Sequence, residues 1–314
     1  MNISDLLNNV NSLCITGHVR PDGDCVGSTL GLYSYIRKNF PEIEVDIYIE
    51  DPSEKLSFVA NFDKIKSNYP DHAPYDLMIC LDAGSLSRIG KADKYFKAAK
   101  HTVNIDHHVS NTMYADDNYV WGDSSSACEV LYGFLDEDKL DRDIAIALYT
   151  GIIYDTGVFK YRATSPETMM IAGKLMKFDI PTDEIIDDSF YAKSYEENRI
   201  FGYAVMNSKL AYDGKVIYSS LTKKDMADFQ VSSKELEGIV PQLRLTQGVI
   251  VAIFAYETPA GDIKISLRSN DPFDVNEIAC MFGGGGHIRA AGLNMTGKMD
   301  DCISKLLDEI GKRI

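Results

Sequence analysis

The segment DLMICLD, residues 76–82, places five consecutive apolar residues between two aspartates. An uninterrupted apolar run of this length is typical of a strand that is covered on both faces, as strands are in parallel sheets. Shorter strand patterns occur at residues 12–17, 44–50 and 101–106. Helical patterns begin near Asp24 and at residues 124–135, 141–153 and 165–178. This alternation predicts an α/β fold, a doubly wound and mostly parallel sheet.

The rest of the chain has a different pattern. Residues 181–212 are charged and helical in character, without a strand pattern, which indicates a connector. Three strand patterns and two amphipathic helices follow it and predict a smaller α/β domain. We therefore expect a first domain at residues 1–180, the connector at 181–212 and a second domain at 213–314.

Composition limits the classes of molecule that the protein is expected to bind. The formal net charge is -15 over 314 residues, which argues against binding long or duplex nucleic acid through a broad basic surface. Short anionic substrates remain open if metals and a few arginines supply local positive charge. The six scattered cysteines form no CxxC pair, so we expect them to be reduced. The sequence has no signal-peptide pattern and no long apolar run, which predicts a cytoplasmic protein that does not enter membranes.

Acidic and histidine residues follow several predicted elements. The segment NIDHHVSN, residues 104–111, places Asp106, His107 and His108 directly after a strand. Others are His18, Asp22 and Asp24 after the first strand, Asp82 after residues 76–81, and Asp155 before a glycine turn. One such segment would be weak evidence, because an aspartate before a turn is commonly a helix or turn cap. The carboxyl ends of strands line one crevice, however, so the four segments can converge.

Converging carboxylates repel each other unless a cation neutralises them. Mixed imidazole and carboxylate ligands suit Mn²⁺, with Zn²⁺, Co²⁺ or Fe²⁺ as competitors. Two metals bridged by a carboxylate form the usual clamp for in-line attack at phosphorus. The sequence therefore predicts a metal centre for phosphate chemistry.

The chain resembles the DHH phosphoesterase family over nearly its whole length. The matching motifs are HVRPDGDCVGS (residues 18–28), LDAG (81–84), NIDHHVSN (104–111), YTGIIYDTGVFKY (149–161) and SLRSNDPFDVNEIACMFGGGGHIRAAG (266–292). The last resembles the DHH-associated C-terminal domain, and the overall pattern is similar to the branch of oligoribonucleases and 3′-phosphoadenosine 5′-phosphate phosphatases. Lys160 departs from relatives, which often carry Arg there, and receives no role.

The resemblance implies a role for each motif residue. The metal ligands would be His18, Asp22, Asp24, Asp82, His107 and Asp155. Asp82 would bridge two Mn²⁺ ions, for which Mg²⁺ or Co²⁺ could substitute. His108 would act on the substrate phosphate, and Asp106 would orient a histidine. The substrate-binding residues would be Arg268, Ser269, Gly284, Gly285 and His287.

The glycine run at residues 283–286 has two interpretations. Glycines let backbone N–H groups approach an anion closely, which predicts a phosphate cradle. The alternative is a helix end followed by a flexible loop, for which one glycine would suffice. Four glycines followed by His287 favour the cradle.

The resemblance implies hydroxide attack at a two-metal centre, in the crevice between the domains. Expected substrates are short oligoribonucleotides, linear dinucleotides such as pApA and pGpG, and 3′-phosphoadenosine 5′-phosphate. Hydrolysis of cyclic dinucleotides is the main alternative, since it would use the same residues. Inorganic pyrophosphate hydrolysis and an inactive nucleotide-binding regulator are less favoured. The sequence is compatible with a homodimer and does not decide the oligomeric state.

Overall fold

The computed structural model describes residues 2–270 and 272–314. The chain forms two compact units, and the boundary between them along the sequence lies between Ala192 and Lys193. The segment assigned to a connector, residues 181–212, contains two helices, a π-helical turn at Asp187–Tyr191 and a short strand. Among the described residues, no helix is long and apolar enough to span a membrane. All six cysteines are free thiols.

The first unit contains a parallel sheet. In chain order its strands are β1 (Ser12–Thr16), β2 (Glu44–Tyr48), β3 (Ile65–Lys66), β4 (Leu77–Leu81), β5 (Thr102–Asp106) and β6 (Asp117–Val120). Their spatial order is β3-β2-β1-β4-β5-β6, and each described pair is parallel. The order reverses between β1 and β4, which is where ligands bind in open α/β sheets.

Helices cover this sheet. They are α1 (Ile3–Leu6), α2 (Gly23–Asn39), α3 (Asp93–Ala98), α4 (Ala127–Tyr132), α5 (Arg142–Thr156), α6 (Pro166–Leu175) and α7 (Thr182–Ile186). Short 3₁₀ helices lie at Glu54–Leu56, Phe62–Lys64, Leu86–Ala92, Glu137–Lys139 and Met176–Phe178. Asp141 and Ser165 cap α5 and α6 by accepting backbone N–H bonds, and Pro166 opens α6, as the sequence predicts.

The apolar run of β4 is divided between two cores. Leu77, Ile79 and Leu81 belong to the large core that includes residues of α2 and α5, whereas Met78 and Cys80 belong to a second, tyrosine-rich cluster. Successive side chains of a strand point to opposite faces, so an uninterrupted apolar run needs cover on both sides. The predicted buried parallel strand is therefore confirmed.

The second unit has a mixed sheet with the order β11-β12-β10-β9-β8-β7. Its strands are β7 (Lys209–Ala211), β8 (Val216–Leu221), β9 (Val251–Glu257), β10 (Ile263–Ser269), β11 (Gly285–His287) and β12 (Ala290–Met295). Its helices are α8 (Tyr195–Met206), α9 (Lys223–Asp228), α10 (Ile239–Arg244), α11 (Val275–Met281) and α12 (Met299–Gly311), with a 3₁₀ helix at Ser233–Leu236. The predicted second α/β domain is confirmed.

Candidate metal centre

The loop after β1 provides the first candidate ligands. His18 is buried, and its Nε2 lies 3.7 Å from Asp22 Oδ1. Asp22 caps α2, because the same Oδ1 accepts the N–H groups of Asp24 and Cys25, each at 3.1 Å. The helix start therefore fixes the carboxylate that faces His18.

Asp82 follows β4 and faces two histidines at once. Its Oδ2 lies 3.2 Å from His18 Nε2, and its Oδ1 lies 3.5 Å from His107 Nε2. The residue is 2% exposed and has a left-handed backbone (φ 53°), which aspartate tolerates better than most residues. One oxygen for each histidine is the arrangement expected of a bridging carboxylate.

His107 also faces two further carboxylates. Its Nε2 lies 3.2 Å from Asp155 Oδ2 and 3.9 Å from Asp24 Oδ2. Asp24 is fully buried, and its two oxygens accept the N–H groups of Ala127 at 2.6 Å and Cys128 at 2.9 Å. Each carboxylate oxygen has a second lone pair, so these bonds leave Asp24 able to bind a cation.

His108 and Asp106 form a separate pair beside this group. His108 Nδ1 lies 2.8 Å from Asp106 Oδ1 and 3.6 Å from Asp82 Oδ1. Asn111 donates its amide to Asp106 Oδ2 at 2.5 Å, so both carboxylate oxygens have a partner. Asp106 is fully buried and His108 is 41% exposed by side chain. Asp106 therefore holds the His108 ring by a hydrogen bond, and its role as an orienting residue stays a prediction.

Two buried atoms of this site lack a hydrogen bond. Among the described residues, Asp82 Oδ1 and His107 Nε2 are buried polar atoms that make no hydrogen bond of normal geometry, although His107 Nε2 lies 3.2 Å from Asp155 Oδ2 and 3.5 Å from Asp82 Oδ1. Such atoms are costly, and a divalent cation would satisfy both. The side chains also form three overlapping groups whose candidate ligand atoms lie within 4.8 Å of one another: Asp82, Asp106, His107 and His108; His18, Cys25 and Asp82; Asp24, His107 and Asp155. The residues fit a metal centre.

The metal-free site favours protons. Burial opposes a charged ring, yet Asp22 and Asp82 raise the pKa of His18 to about 10, and Asp155 and Asp82 raise the pKa of His107 to about 11. Burial, reinforced by Asp82 and Asp155, raises the pKa of Asp24. The carboxylates around the two rings therefore stabilise positive charge, whether a proton or a bound cation carries it.

Metal binding should release protons from both histidines. At pH 7 the two rings are charged, and a metal needs a neutral imidazole, so each ion should displace at least one proton. The affinity for each ion should then rise about tenfold per pH unit from neutrality towards the folded-state pKa values. Calorimetric titration of metal-free protein with Mn²⁺, in two buffers of different ionisation enthalpy, measures the protons. Identical heats in both buffers would contradict the prediction.

The chain after Asp155 makes a left-handed turn. Gly157, Val158 and Phe159 all have positive φ, between 56° and 62°. Thr156 holds this turn, because its hydroxyl accepts the N–H of Phe159 at 3.0 Å and its carbonyl accepts the N–H groups of Lys160 and Tyr161. A β-branched residue in this conformation is unusual, and such strain concentrates at functional sites. The sequence predicts a glycine turn after Asp155, but it does not predict that Val158 and Phe159 share the left-handed conformation of Gly157.

The predicted substrate residues of the second unit lie on or beside β10 and β11. Arg268 is partly exposed, and its guanidinium donates to the Leu267 carbonyl at 2.9 Å. His287 is exposed at the end of β11. Ser269 is fully buried, and its hydroxyl donates to the Phe273 carbonyl at 2.6 Å, which gives it a structural role in the loop after β10. Its assignment to substrate binding stays a prediction.

The glycine run has several local causes. Gly283 follows α11 with φ 77°, as helix ends favour. A Cβ on Gly284 would lie 2.3 Å from the Gly292 carbonyl, and one on Gly286 would lie 2.4 Å from that of Ala290, so β12 requires both glycines. Gly285 is exposed, and a Cβ there would meet nothing closer than 3.9 Å. Of these glycines, Gly285 is the one that the fold does not require.

Alanine at two neighbouring glycines should therefore separate folding from substrate binding. Gly285→Ala should leave the melting temperature unchanged and lower kcat/KM about 10- to 100-fold, because the methyl group blocks an anion that approaches the backbone. Gly284→Ala should instead destabilise the fold by about 1–3 kcal/mol. Calorimetry and steady-state kinetics on both variants measure this. If Gly285→Ala keeps full activity, the glycine run at residues 283–286 has structural roles only.

Both units of the chain are similar to known proteins. Residues 12–152 match the DHH family N-terminal domain, and residues 213–314 match the DHHA1 domain. A probable bifunctional oligoribonuclease and PAP phosphatase NrnA of Streptococcus mutans is 31% identical over 290 residues, covering 90% of this chain and 89% of the relative. The Bacillus subtilis bifunctional oligoribonuclease and PAP phosphatase NrnA is 28% identical over 284 residues, covering 88% and 87%.

A solved structure is similar over the whole fold. The crystal structure of an exopolyphosphatase-related protein from Bacteroides fragilis has a TM-score of 0.86 and 26% identity, covering 98% of this chain and 93% of that one. Motifs, sheet topology and full-length relatives lead to the same assignment. The chain belongs to the DHH family and carries a DHHA1 domain at its C-terminal end.

Proposed function

We propose that this chain is a Mn²⁺-dependent phosphoesterase of short nucleotide substrates: short oligoribonucleotides, linear dinucleotides such as pApA and pGpG, and 3′-phosphoadenosine 5′-phosphate. The observation that carries the proposal is Asp82, which presents one oxygen to His18 and the other to His107. The names of the relatives support short oligoribonucleotides and 3′-phosphoadenosine 5′-phosphate as substrates.

The proposed metal ligands form two groups, and Asp82 belongs to both. His18 and Asp22 would hold one ion, and Asp24, His107 and Asp155 the other. When bound, divalent ions at this site supply Lewis-acid activation of water and neutralise charge on phosphoryl oxygens. Carboxylate and imidazole donors suit Mn²⁺.

His108 would stabilise the substrate phosphate. Its bond to Asp106 raises the pKa of His108 and so favours the ring with both N–H groups. Nδ1–H is then held by Asp106, and Nε2–H can donate to a phosphoryl oxygen as negative charge develops there. We also propose that Arg268, Gly284, Gly285 and His287 bind the substrate, because guanidinium suits phosphate and a glycine segment lets an anion approach the backbone closely.

A substrate panel tests this proposal. Mn²⁺-loaded protein would be assayed on 3′-phosphoadenosine 5′-phosphate, pApA, pGpG, cyclic di-AMP and 5′-phosphorylated RNA of increasing length, at one salt concentration. With a net charge of -15, the rate should fall steeply beyond a few nucleotides. Equal rates on a dimer and on RNA of about thirty nucleotides would overturn the substrate class. If the protein prefers cyclic di-AMP, cyclic dinucleotides replace linear ones as the proposed substrates.

A further inference from the structure

Arg88 lies beside the candidate metal centre and is not one of the proposed metal ligands. It belongs to the 3₁₀ helix at Leu86–Ala92 and is exposed. Its carbonyl accepts the N–H of Val19 at 2.7 Å, which ties the segment after β4 to the loop after β1. The backbone of Arg88 is thereby fixed next to the residue that follows His18.

The Arg88 side chain reaches the outer nitrogen of His18. Arg88 Nη2 lies 3.1 Å from His18 Nδ1, and the carbonyl of Val19 lies 2.9 Å from the same nitrogen. One ring nitrogen cannot accept from arginine and donate to a carbonyl at once. These two contacts therefore compete.

A charged His18 ring and a metal-bound one resolve this competition in the same way, because both carry a proton on Nδ1. His18 Nε2 faces Asp22 and Asp82, so it is the nitrogen that would bind an ion. A metal-binding imidazole carries its proton on the other nitrogen and commonly donates it to a carbonyl, which here is that of Val19. The Nδ1–H of His18 and an N–H of Arg88 then face each other. The guanidinium therefore has no hydrogen-bond acceptor on His18.

No carboxylate replaces that acceptor. Within residues 2–270 and 272–314, no acidic group lies within ion-pair distance of the Arg88 guanidinium, although the chain has 47 acidic residues. Guanidinium offers five donors in a planar fork that matches phosphate oxygens. An arginine that has no acidic partner and lies beside a metal ligand supplies the local positive charge that so acidic a protein needs to receive a phosphate.

We infer that Arg88 binds an oxygen of the substrate phosphate at the metal centre, beside His18. This inference rests on the proposed function and adds a residue to it. Arg88 would contact the substrate itself. The competing explanation is that Arg88 only positions His18, in which case its loss should weaken the metal site.

The test compares Arg88→Gln, Arg88→Lys and Arg37→Gln. Arg37 is an exposed arginine in the last turn of α2, about 20 Å along that helix from Asp22, so its substitution removes the same charge far from the site. Three quantities would be measured on each protein: Mn²⁺ affinity without substrate, binding of AMP to the Mn²⁺-loaded protein by calorimetry, and kcat/KM on pApA.

Arg88→Gln should keep the wild-type Mn²⁺ affinity, weaken AMP binding, and lower kcat/KM about 10- to 100-fold, as expected for the loss of a charge-assisted hydrogen bond. Arg88→Lys should recover part of both losses, and Arg37→Gln should match wild type. Unchanged AMP binding in Arg88→Gln would overturn the inference, and so would a loss of Mn²⁺ affinity that accounts for the loss of activity. If wild type itself hydrolyses nothing in the panel, the proposed function fails, and the AMP comparison still decides the role of Arg88.

Discussion

Asp82→Ala should abolish hydrolysis and remove at least one metal ion per chain. Asp82 contacts the histidines of both proposed ion positions, and the loss of an ion removes several kcal/mol of transition-state stabilisation. Several kcal/mol corresponds to a fall in kcat of about a thousandfold or more. Steady-state kinetics and elemental analysis of the purified variant measure both effects.

Two variants complete this experiment. Asp82→Asn keeps a residue that tolerates the left-handed backbone, so a loss of metal there reflects the carboxylate and not the strain that alanine adds. Asp106→Asn should cost only about 10- to 100-fold, because Asp106 acts through the His108 ring. Wild-type metal content in Asp82→Ala would refute the bridge.

Gly151→Ala should have the second largest effect, through a residue that contacts no substrate. Gly151 lies where α5 crosses α2, and a Cβ there would lie 2.2 Å from Cys128 Sγ, 2.7 Å from Asp24 Oδ1 and 3.1 Å from Asp24 Cα. The methyl group must displace Asp24 or separate the helices. We expect a destabilisation of about 1–3 kcal/mol from overpacking. Displacement of a ligand by about 1 Å should also lower activity about 100-fold.

Gly173→Ala is the matched control. Gly173 lies in α6 of the same unit, and a Cβ there would meet nothing within 4 Å, so alanine should stabilise the protein by about 0.5–1 kcal/mol. Thermal unfolding, kinetics and Mn²⁺ titration would be measured on both variants. Wild-type metal affinity and activity in Gly151→Ala would show that Asp24 does not need its observed position.

The sequence predicted the first sheet well because its signals are local. The unbroken apolar run of β4 requires cover on both faces, and Asp141 and Ser165 mark helix starts through their own backbone bonds. Strand ends then bring distant residues together: Asp82 lies 3.2 Å from His18 although 64 residues separate them. Such convergence follows from topology and needs no knowledge of side-chain packing.

Other features depend on packing that sequence patterns do not encode. The glycines at 284 and 286 suggested an anion cradle, yet their close approach to β12 explains them without a ligand. Ser269 belonged to a motif, but its hydroxyl bonds inside the fold. Arg88 lies six residues after Asp82 and carries no pattern of its own. Its importance emerges only from the contact with His18.

The stoichiometry of Mn²⁺ binding, followed alongside hydrolysis of pApA, shows whether Asp82 bridges two ions that hydrolysis requires. Metal-free protein would be titrated with Mn²⁺ while bound ions and turnover are recorded on the same sample. We expect about two ions per chain in wild type, with turnover appearing as the sites fill, and fewer ions with no turnover in Asp82→Ala. Full turnover by wild type at a stoichiometry near zero, or two ions bound equally well by Asp82→Ala, would contradict it.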